Sequence, residues 1–357
     1  MRILFWGTPA YAVPSLEALL AAGHELVGVV SQPDRRRGRG ASLVASPVKA
    51  RALQLGLPVF SPARIRRDPD CQAALAALSP DLSVVVAFGQ ILPREVLQNP
   101  PLGCWNGHGS LLPRWRGAAP IQWALLEGDL RTGVGIMAME EGLDTGPVLL
   151  ERALEIGLLE NASLLAARLA ALTAELLVEA LPRIEAAGPG PEAERWQRLG
   201  VRPQRPEGVS YARLLTAEDA CLDWNVPALD LHRRILALYP GAHASWQGRR
   251  LKLLVSEPLV PRLADALSPE GRVLANRWGS PDAVGSEAPT ATAAAGSVLE
   301  VVKGVGLVVA TGGCPLLLRA AQLEGKGVVE GGRLLQQLGA KEGDRFLAGQ
   351  ASIRKTL

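Results

Sequence analysis

At 357 residues, with 48% of them apolar, the chain is long for one domain and suggests two, each with material for an ordinary core. The net charge of +3 (38 Lys and Arg against 35 Asp and Glu) is too small for bulk attraction to a polyanion, so any such binding must come from local clustering. No apolar run approaches the ~20 residues that span a bilayer, and Cys71, Cys104, Cys221 and Cys314 are too scattered for a disulfide framework or a zinc site, which fits free thiols in a reducing cytosol.

The N-terminal M-R-I-L-F-W-G-T-P is too short in apolar residues for a secretory signal, and a cytoplasmic location is expected. Arg2–Trp6 reads as a buried strand, Gly7-Thr8-Pro9 as a tight turn, Ala10–Ala22 as a helix stopped by Gly23, and Glu25–Ser31 as a second strand. This βαβ opening predicts a parallel sheet covered by helices. The turn lacks G-x-G-x-x-G, so the expectation is a Rossmann-like fold without a nicotinamide site. Gln32–Lys49 is too polar and glycine-rich for a helix. Arg35, Arg36, Arg37 and Arg39 fall within it, and on composition a solvated charge run and a phosphate-seeking loop are equally good readings. Pro47–Leu55 reads as helix, Val59–Phe60 as a short strand, Ile65–Leu78 as helix and Leu82–Phe88 as a central strand. Ligands of open parallel sheets bind at the carboxyl ends of strands, so Gly89–Pro93 and Asn106–Pro113 should face one crevice. Phe88, Ile91 and Leu92 would suit a flat aromatic ligand there, although Phe88 fits the core at least as well.

Asn106–Pro120, N-G-H-G-S-L-L-P-R-W-R-G-A-A-P, gathers an amide, an imidazole, a hydroxyl and two guanidinium groups. Asn106 and His108, two apart, share one face of an extended strand. An amide donor beside a group that titrates near neutral pH can stabilise an oxyanion and move a proton. Downstream, Ile121–Leu126 reads as helix and Thr132–Met139 as strand. Asp144 then sits alone in G-L-D-T-G, before a strand at Val148–Ile156 and a long Leu/Ala helix at Leu164–Glu185.

The second half changes character. Ala186–Gly208 is rich in Pro, Gly and Arg and reads as a linker; Arg195, Arg198, Arg202 and Arg205 give it charge, for a phosphate backbone or for solubility. Leu229–Leu238 reads as helix. Short strands are expected at Ala242–Gln247, Arg250–Leu259, Arg272–Ala275, Val298–Val302, Leu307–Ala310 and Leu316–Ala320, with a turn at Gly248-Arg249 and a last helix at Gly332–Leu338. Many short strands without intervening helices predict a small barrel. Gly279–Gly296 is low in complexity and is expected to be a disordered loop.

N-G-H-G-S-L-L-P-R-W-R-G-A-A-P-I followed by G-L-D-T-G resembles the folate-dependent formyltransferases, and the long form W-R-G-A-A-P-I is similar to those acting on methionyl-tRNA. The resemblance spans almost the whole chain and is weakest beyond Glu257. It implies a catalytic set of Asn106, His108 and Asp144, folate contacts from Ser110, Leu111, Leu112 and Pro113, and an OB-like barrel as C-terminal domain. It also implies that the arginine stretch, Arg39 foremost in its G-R-G context, enters the acceptor stem of initiator tRNA. Residues 1–188 would then be the catalytic domain, 189–208 the linker and 209–357 the tRNA-binding domain. Gly107 departs from the family, which usually carries Val, Ile or Leu there, and looser packing is expected. The chain should act as a monomer, transferring formyl from 10-formyltetrahydrofolate to the α-amine of methionyl-tRNA, with no metal because no His/Cys/Asp set has ligand spacing. A formyltransferase acting on an amino-sugar nucleotide shares the same three residues and is the main alternative. The arginine stretch and the second domain weigh against it. Glycinamide ribonucleotide formyltransferase lacks such a domain. A Rossmann oxidoreductase and a non-catalytic RNA-binding protein are the readings from other classes.

Overall fold

The computed structural model describes residues 1–37, 42–278 and 293–349. Arg39 and residues 279–292 of the low-complexity stretch lie outside these. Two compact units are present. The first holds Met1–Ile121, Arg131–Glu155 and Ala166–Leu214; the second holds Gln122–Leu130, Ile156–Leu165 and the chain from Leu215 onward.

In chain order the first half gives β1 (Arg2–Gly7), α1 (Val13–Ala21), β2 (Glu25–Val30), β3 (Arg35–Arg37), β4 (Ser42–Val44), α2 (Pro47–Gln54), β5 (Val59–Phe60), α3 (Pro69–Ala77), β6 (Leu82–Val86), α4 (Arg94–Gln98) and β7 (Cys104–His108). It continues with β8 (Arg116–Gly117), α5 (Pro120–Leu126), β9 (Arg131–Ala138), β10 (Val148–Glu155), α6 (Ala162–Ala187), α7 (Glu192–Leu199) and β11 (Tyr211–Ala212). The helix expected over Ile65–Leu78 is split. Pro69 disfavours a helical residue before it, so Ile65–Arg67 winds as a 3-10 turn and Asp68 caps α3 by accepting from the Cys71 N–H at 3.0 Å. The arginine stretch is not loop throughout: β3 and β4 pair antiparallel.

The main sheet runs β10-β9-β7-β6-β1-β2-β5. Its five strands from β7 to β5 are parallel, and β9 and β10 add an antiparallel edge. After β5 the chain returns to the other side of β1, so the order reverses between β1 and β6. A crevice opens beyond the carboxyl ends of the strands at such a reversal. β6 and β7 are buried along their whole length, as strands covered on both faces must be.

The stretch expected as a linker is folded into the first unit. It contains α7, with Glu192 and Glu194 in its first turn, Arg198 in its last and Gly200 as a left-handed cap at φ 63°. Arg195 is buried, donating to the Leu102 carbonyl at 2.6 Å, and Arg198 donates to the carbonyls of Ala187 and Pro189. These two arginines hold backbone rather than face a phosphate.

The second unit carries α8 (Ala228–Ala237), β12 (His243–Trp246), β13 (Arg249–Pro258), α9 (Pro269–Trp278), β14 (Val298–Val302), β15 (Gly306–Val309), β16 (Leu316–Leu323), β17 (Val328–Glu330) and α10 (Gly331–Leu338). The antiparallel order is β12-β13-β16-β15-β14, with β17 also on β16. The following segment bridges Ser245 to Leu347 and Ser297 to Arg345, so it joins the two open edges into the expected OB-like barrel. Trp224, Trp246 and Phe346 pack in its core, with ring centroids 5.2 and 4.5 Å from that of Phe346. Arg272–Ala275, expected as a strand, lies in α9. The Ser268 hydroxyl accepts from the Gly271 N–H at 3.0 Å to start a helix whose Gly271, Leu274 and Ala275 are buried at helical spacing. The hairpin turn is one residue earlier than expected, with positive φ at Gln247 (48°) and Gly248 (76°).

Candidate active site

Two loops and one strand end build the site. β6 stops at Val86 because Ala87 (φ 48°) and Gly89 (φ 86°) turn the chain out of the sheet. The next residue pins that loop: Gln90 Oε1 accepts from the Ile65 N–H at 2.8 Å and Nε2 donates to the Pro62 carbonyl at 3.1 Å. β7 presents Asn106 and His108 from one face, and both are buried. Gly107 faces the other way, toward α6. A Cβ at Gly107 would lie 2.5 Å from Thr173 Cγ2, so the looser packing expected there is absent and the threonine fills the space. Thr173 Oγ1 lies 2.7 Å from the Leu169 carbonyl and 2.8 Å from the Tyr11 hydroxyl, whose pKa burial pushes up to about 12.

Asp144 is delivered by the loop between β9 and β10. It takes a left-handed conformation (φ 52°), and two residues on Gly146 passes so close to the Ala138 carbonyl that any side chain would collide with it. The carboxylate is held from three sides. Oδ2 accepts from the Gly117 N–H at 2.7 Å, Oδ1 faces Asn106 Nδ2 at 3.4 Å, and Oδ2 lies 3.7 Å from His108 Nδ1. His108 Nε2 is 2.9 Å from the Trp115 carbonyl, which can only accept, so that nitrogen carries hydrogen. A second proton, on Nδ1, would face the carboxylate. The protonated ring therefore has an acceptor at each nitrogen, and an amide donor beside it: the parts of a proton relay next to an oxyanion site.

The structure brings Asn106, His108 and Asp144 together, the first two from one strand face as their spacing predicts. The proposed folate residues divide. Phe88 packs edge-on against Trp6 with centroids 5.1 Å apart, and Leu92 lies in the same core cluster. Ser110 is buried with its hydroxyl donating to the Arg114 carbonyl at 2.6 Å, and Leu112 packs on Met137 and Val148. These four side chains serve the core, while Ile91 is 61% exposed and Leu111 and Pro113 are half-buried. Arg35 and Arg36 are exposed on β3, beside Arg37 in the same strand. Among the described residues no group of His, Cys, Asp and Glu is placed to hold a metal, and no helix is long and apolar enough to cross a membrane.

Several residues at the site escaped the sequence reading: Tyr11 and Thr173 behind β7, the Trp115 carbonyl, the Gly117 N–H, and Gln204. Gln204 Nε2 donates to the carbonyls of Asp144 and Gly146, both at 2.8 Å. None carries a local signal, because each acts through backbone or through a partner distant in sequence.

Known proteins agree with this architecture. Residues 1–181 match the formyl transferase family and residues 214–339 match the formyl transferase C-terminal domain. Methionyl-tRNA formyltransferase of Synechococcus sp. (strain RCC307) is 68% identical over 341 residues, covering 95% of this chain and 100% of that protein. The protein of the same name from Prochlorococcus marinus (strain MIT 9313) is 57% identical over 343 residues, covering 96% and 97%. Among solved structures, the N-formyltransferase of Helicobacter canadensis in complex with folinic acid and dTDP-3-aminofucose aligns with a TM-score of 0.57 at 14% identity, over 89% of this chain and 98% of that one, a likeness of fold. The chain belongs to the formyl transferase family, and within it to the methionyl-tRNA formyltransferases.

Proposed function

We propose that the chain transfers the formyl group of 10-formyltetrahydrofolate to the α-amine of methionine carried by initiator tRNA, giving N-formylmethionyl-tRNA for translation initiation. The observation that supports this most is the convergence of Asn106 and His108, on the C-terminal half of β7, upon the Asp144 carboxylate, which lies 3.4 Å from the first and 3.7 Å from the second. The amine nitrogen attacks the formyl carbon, and the carbonyl electrons move to oxygen. Asn106 Nδ2 donates to that oxyanion. The proton shed by the amine passes to His108 Nδ1, where Asp144 balances the charge, and returns to N10 as the carbon–N10 bond breaks. Ile91, Leu111 and Pro113 keep accessible surface for the folate, with the backbone of Phe88, Leu92, Ser110 and Leu112 beside them. Arg35, Arg36, Arg37 and Arg39 meet phosphates of the acceptor stem, residues 1–188 carry catalysis and residues 209–357 carry further tRNA contacts. The enzyme works as a monomer in the cytoplasm.

The test is transfer of labelled formyl from 10-formyltetrahydrofolate with initiator methionyl-tRNA, elongator methionyl-tRNA and a dTDP-amino sugar offered together. Label on the initiator alone is the expected result. Label on the sugar would refute the acceptor.

A further inference from the structure

We infer that Gln204 is a positioning residue for this reaction: its side-chain amide locks the Asp144 loop to the Arg116 loop and so sets the distance between the Asp144 carboxylate and His108. The inference rests on the catalytic reading above and extends it to a segment that reads, in sequence, as a linker.

The amide is fully used. Nε2 places both hydrogens on carbonyls, those of Asp144 and Gly146, each at 2.8 Å. Oε1 accepts from Arg116 Nε at 3.0 Å and Nη2 at 2.8 Å. The orientation follows from the partners: a guanidinium has only donors and a carbonyl only accepts, so a flipped amide would lose all four bonds. The two loops that meet at Gln204 also meet at the chemistry, because the Gly117 N–H, one residue beyond Arg116, donates to Asp144 Oδ2 at 2.7 Å. Asp144 is held in a left-handed conformation (φ 52°) that a non-glycine residue keeps only when its surroundings impose it. The bond from Gln204 to the carbonyl of Asp144 itself is such a constraint.

Gln204 is in turn fixed by its own strand of chain. Two residues earlier, Arg202 exchanges both backbone hydrogen bonds with Val148 at 2.8 Å. Further on, Ser210 accepts from the N–H of Arg116 through its carbonyl (2.9 Å) and from the N–H of Trp115 through its hydroxyl (3.0 Å), and β11 pairs with β8. The segment 202–212 is thus stitched to the edge of β10 at one end and to the Trp115–Gly117 backbone at the other, with Gln204 between them. The Trp115 carbonyl fixed in this way is also the acceptor of His108 Nε2. Both members of the proton relay are therefore tied to one segment. A displacement of about 1 Å in such a pair can cost about 10²-fold in rate.

The test uses the full chain and four proteins: wild type, Gln204→Leu, Asp144→Ala and the double variant, in steady-state formyl transfer to initiator methionyl-tRNA. Gln204→Leu is one atom shorter than glutamine, still fills much of its space and removes every bond. The expected result is a fall in kcat of about 10²-fold with an unchanged KM for tRNA. In the Asp144→Ala background the same substitution should add less than about twofold, since a residue acting through Asp144 has nothing left to position. Losses that multiply in the double variant, or a rise in KM alone, would overturn the proposal and leave the catalytic set standing. Full activity of Asp144→Ala would instead overturn the catalytic set. Melting curves accompany each variant. If Gln204→Leu does not fold, Gln204→Glu, which keeps an acceptor for Arg116 and opposes two carbonyls with a carboxylate, serves in the same cycle.

Discussion

Gly107→Ala is the sharpest test of how β7 is packed. The added Cβ would stand 2.5 Å from Thr173 Cγ2, about 1.0–1.5 Å inside the roughly 3.5–4.0 Å that two carbons prefer. Neither side can yield easily. β7 is hydrogen-bonded to β6 and β9, and Thr173 lies within α6 with its hydroxyl committed to Leu169 and Tyr11. Overpacking of this kind costs about 1–3 kcal/mol. At roughly 2–4 °C per kcal/mol for a unit of this size, the melting temperature should fall by about 2–12 °C. Thr173→Ser removes the offending methyl and keeps the hydroxyl, so the double variant should recover most of the loss. Ala in place of Gly within a strand is itself worth about 0.5–1 kcal/mol once the clash is gone. Thermal denaturation of the four proteins followed by circular dichroism reads both effects. An unchanged melting temperature for Gly107→Ala, or additive losses in the double variant, would refute the claim that Thr173 occupies the space facing Gly107.

His108→Ala and Asp144→Ala should each lower kcat for formyl transfer by about 10²–10⁴-fold with native circular dichroism spectra; activity within a few-fold of wild type would remove them from the mechanism. Arg35→Ala, Arg36→Ala and Arg39→Ala should weaken tRNA use while sparing folate binding, each lowering the slope of log K against log salt by about 0.7–0.9. Equal turnover at every salt concentration would exclude that stretch from the RNA contact. His232, buried with Nδ1 2.9 Å from the Ser256 hydroxyl and Nε2 2.8 Å from the Leu158 carbonyl, has its pKa lowered from 6.5 to about 4, chiefly by desolvation. The unfolded chain takes up the proton near 6.5 and the folded chain only near 4. Its contribution is therefore complete above pH 6.5 and is lost as pH falls toward 4, about 3 kcal/mol across that window. Urea midpoints should fall with pH in wild type and flatten in His232→Asn; identical slopes would contradict the assignment.

The three residues of the candidate site are legible because they come from contiguous motifs with simple geometry. A two-residue spacing on a buried strand puts Asn106 and His108 on one face, and a lone acid between glycines can approach them closely. The sheet was legible too, since β1, β2 and β6 are mostly apolar runs with Gly or Pro close to their ends. The errors have specific causes. R-V-L-A, Arg272–Ala275, reads as strand in isolation, and the helix is decided by the Ser268 cap and by burial of Gly271, Leu274 and Ala275. Ile65–Leu78 reads as one helix until Pro69 is given its steric weight. Phe88 and Leu92 stand after β6, where a ligand or the core could claim them; a strand end at a crevice still has a buried side, and both side chains turn to it.

Composition misleads most in residues 189–208. Pro, Gly and Arg together are the usual mark of a solvated linker, because such residues rarely bury enough apolar surface to fold. Here Arg195 and Arg198 donate to backbone carbonyls. Arg195 is buried because the guanidinium's donors find carbonyls at Leu102 and Gly190, which offsets the desolvation that lowers its pKa. The same substitution of partners explains Arg116, whose charge is spent on Gln204 rather than left free for a phosphate. A local reading assigns each arginine by its charge, but its role is fixed by which acceptors the fold has left unpaired. That information sits in the carbonyls of residues some 90 positions away, for Leu102 with Arg195 and for Arg116 with Gln204. The residues of this candidate site are thus written locally, whereas the contacts that hold their loops are written in long-range amide and guanidinium bonds that no motif displays.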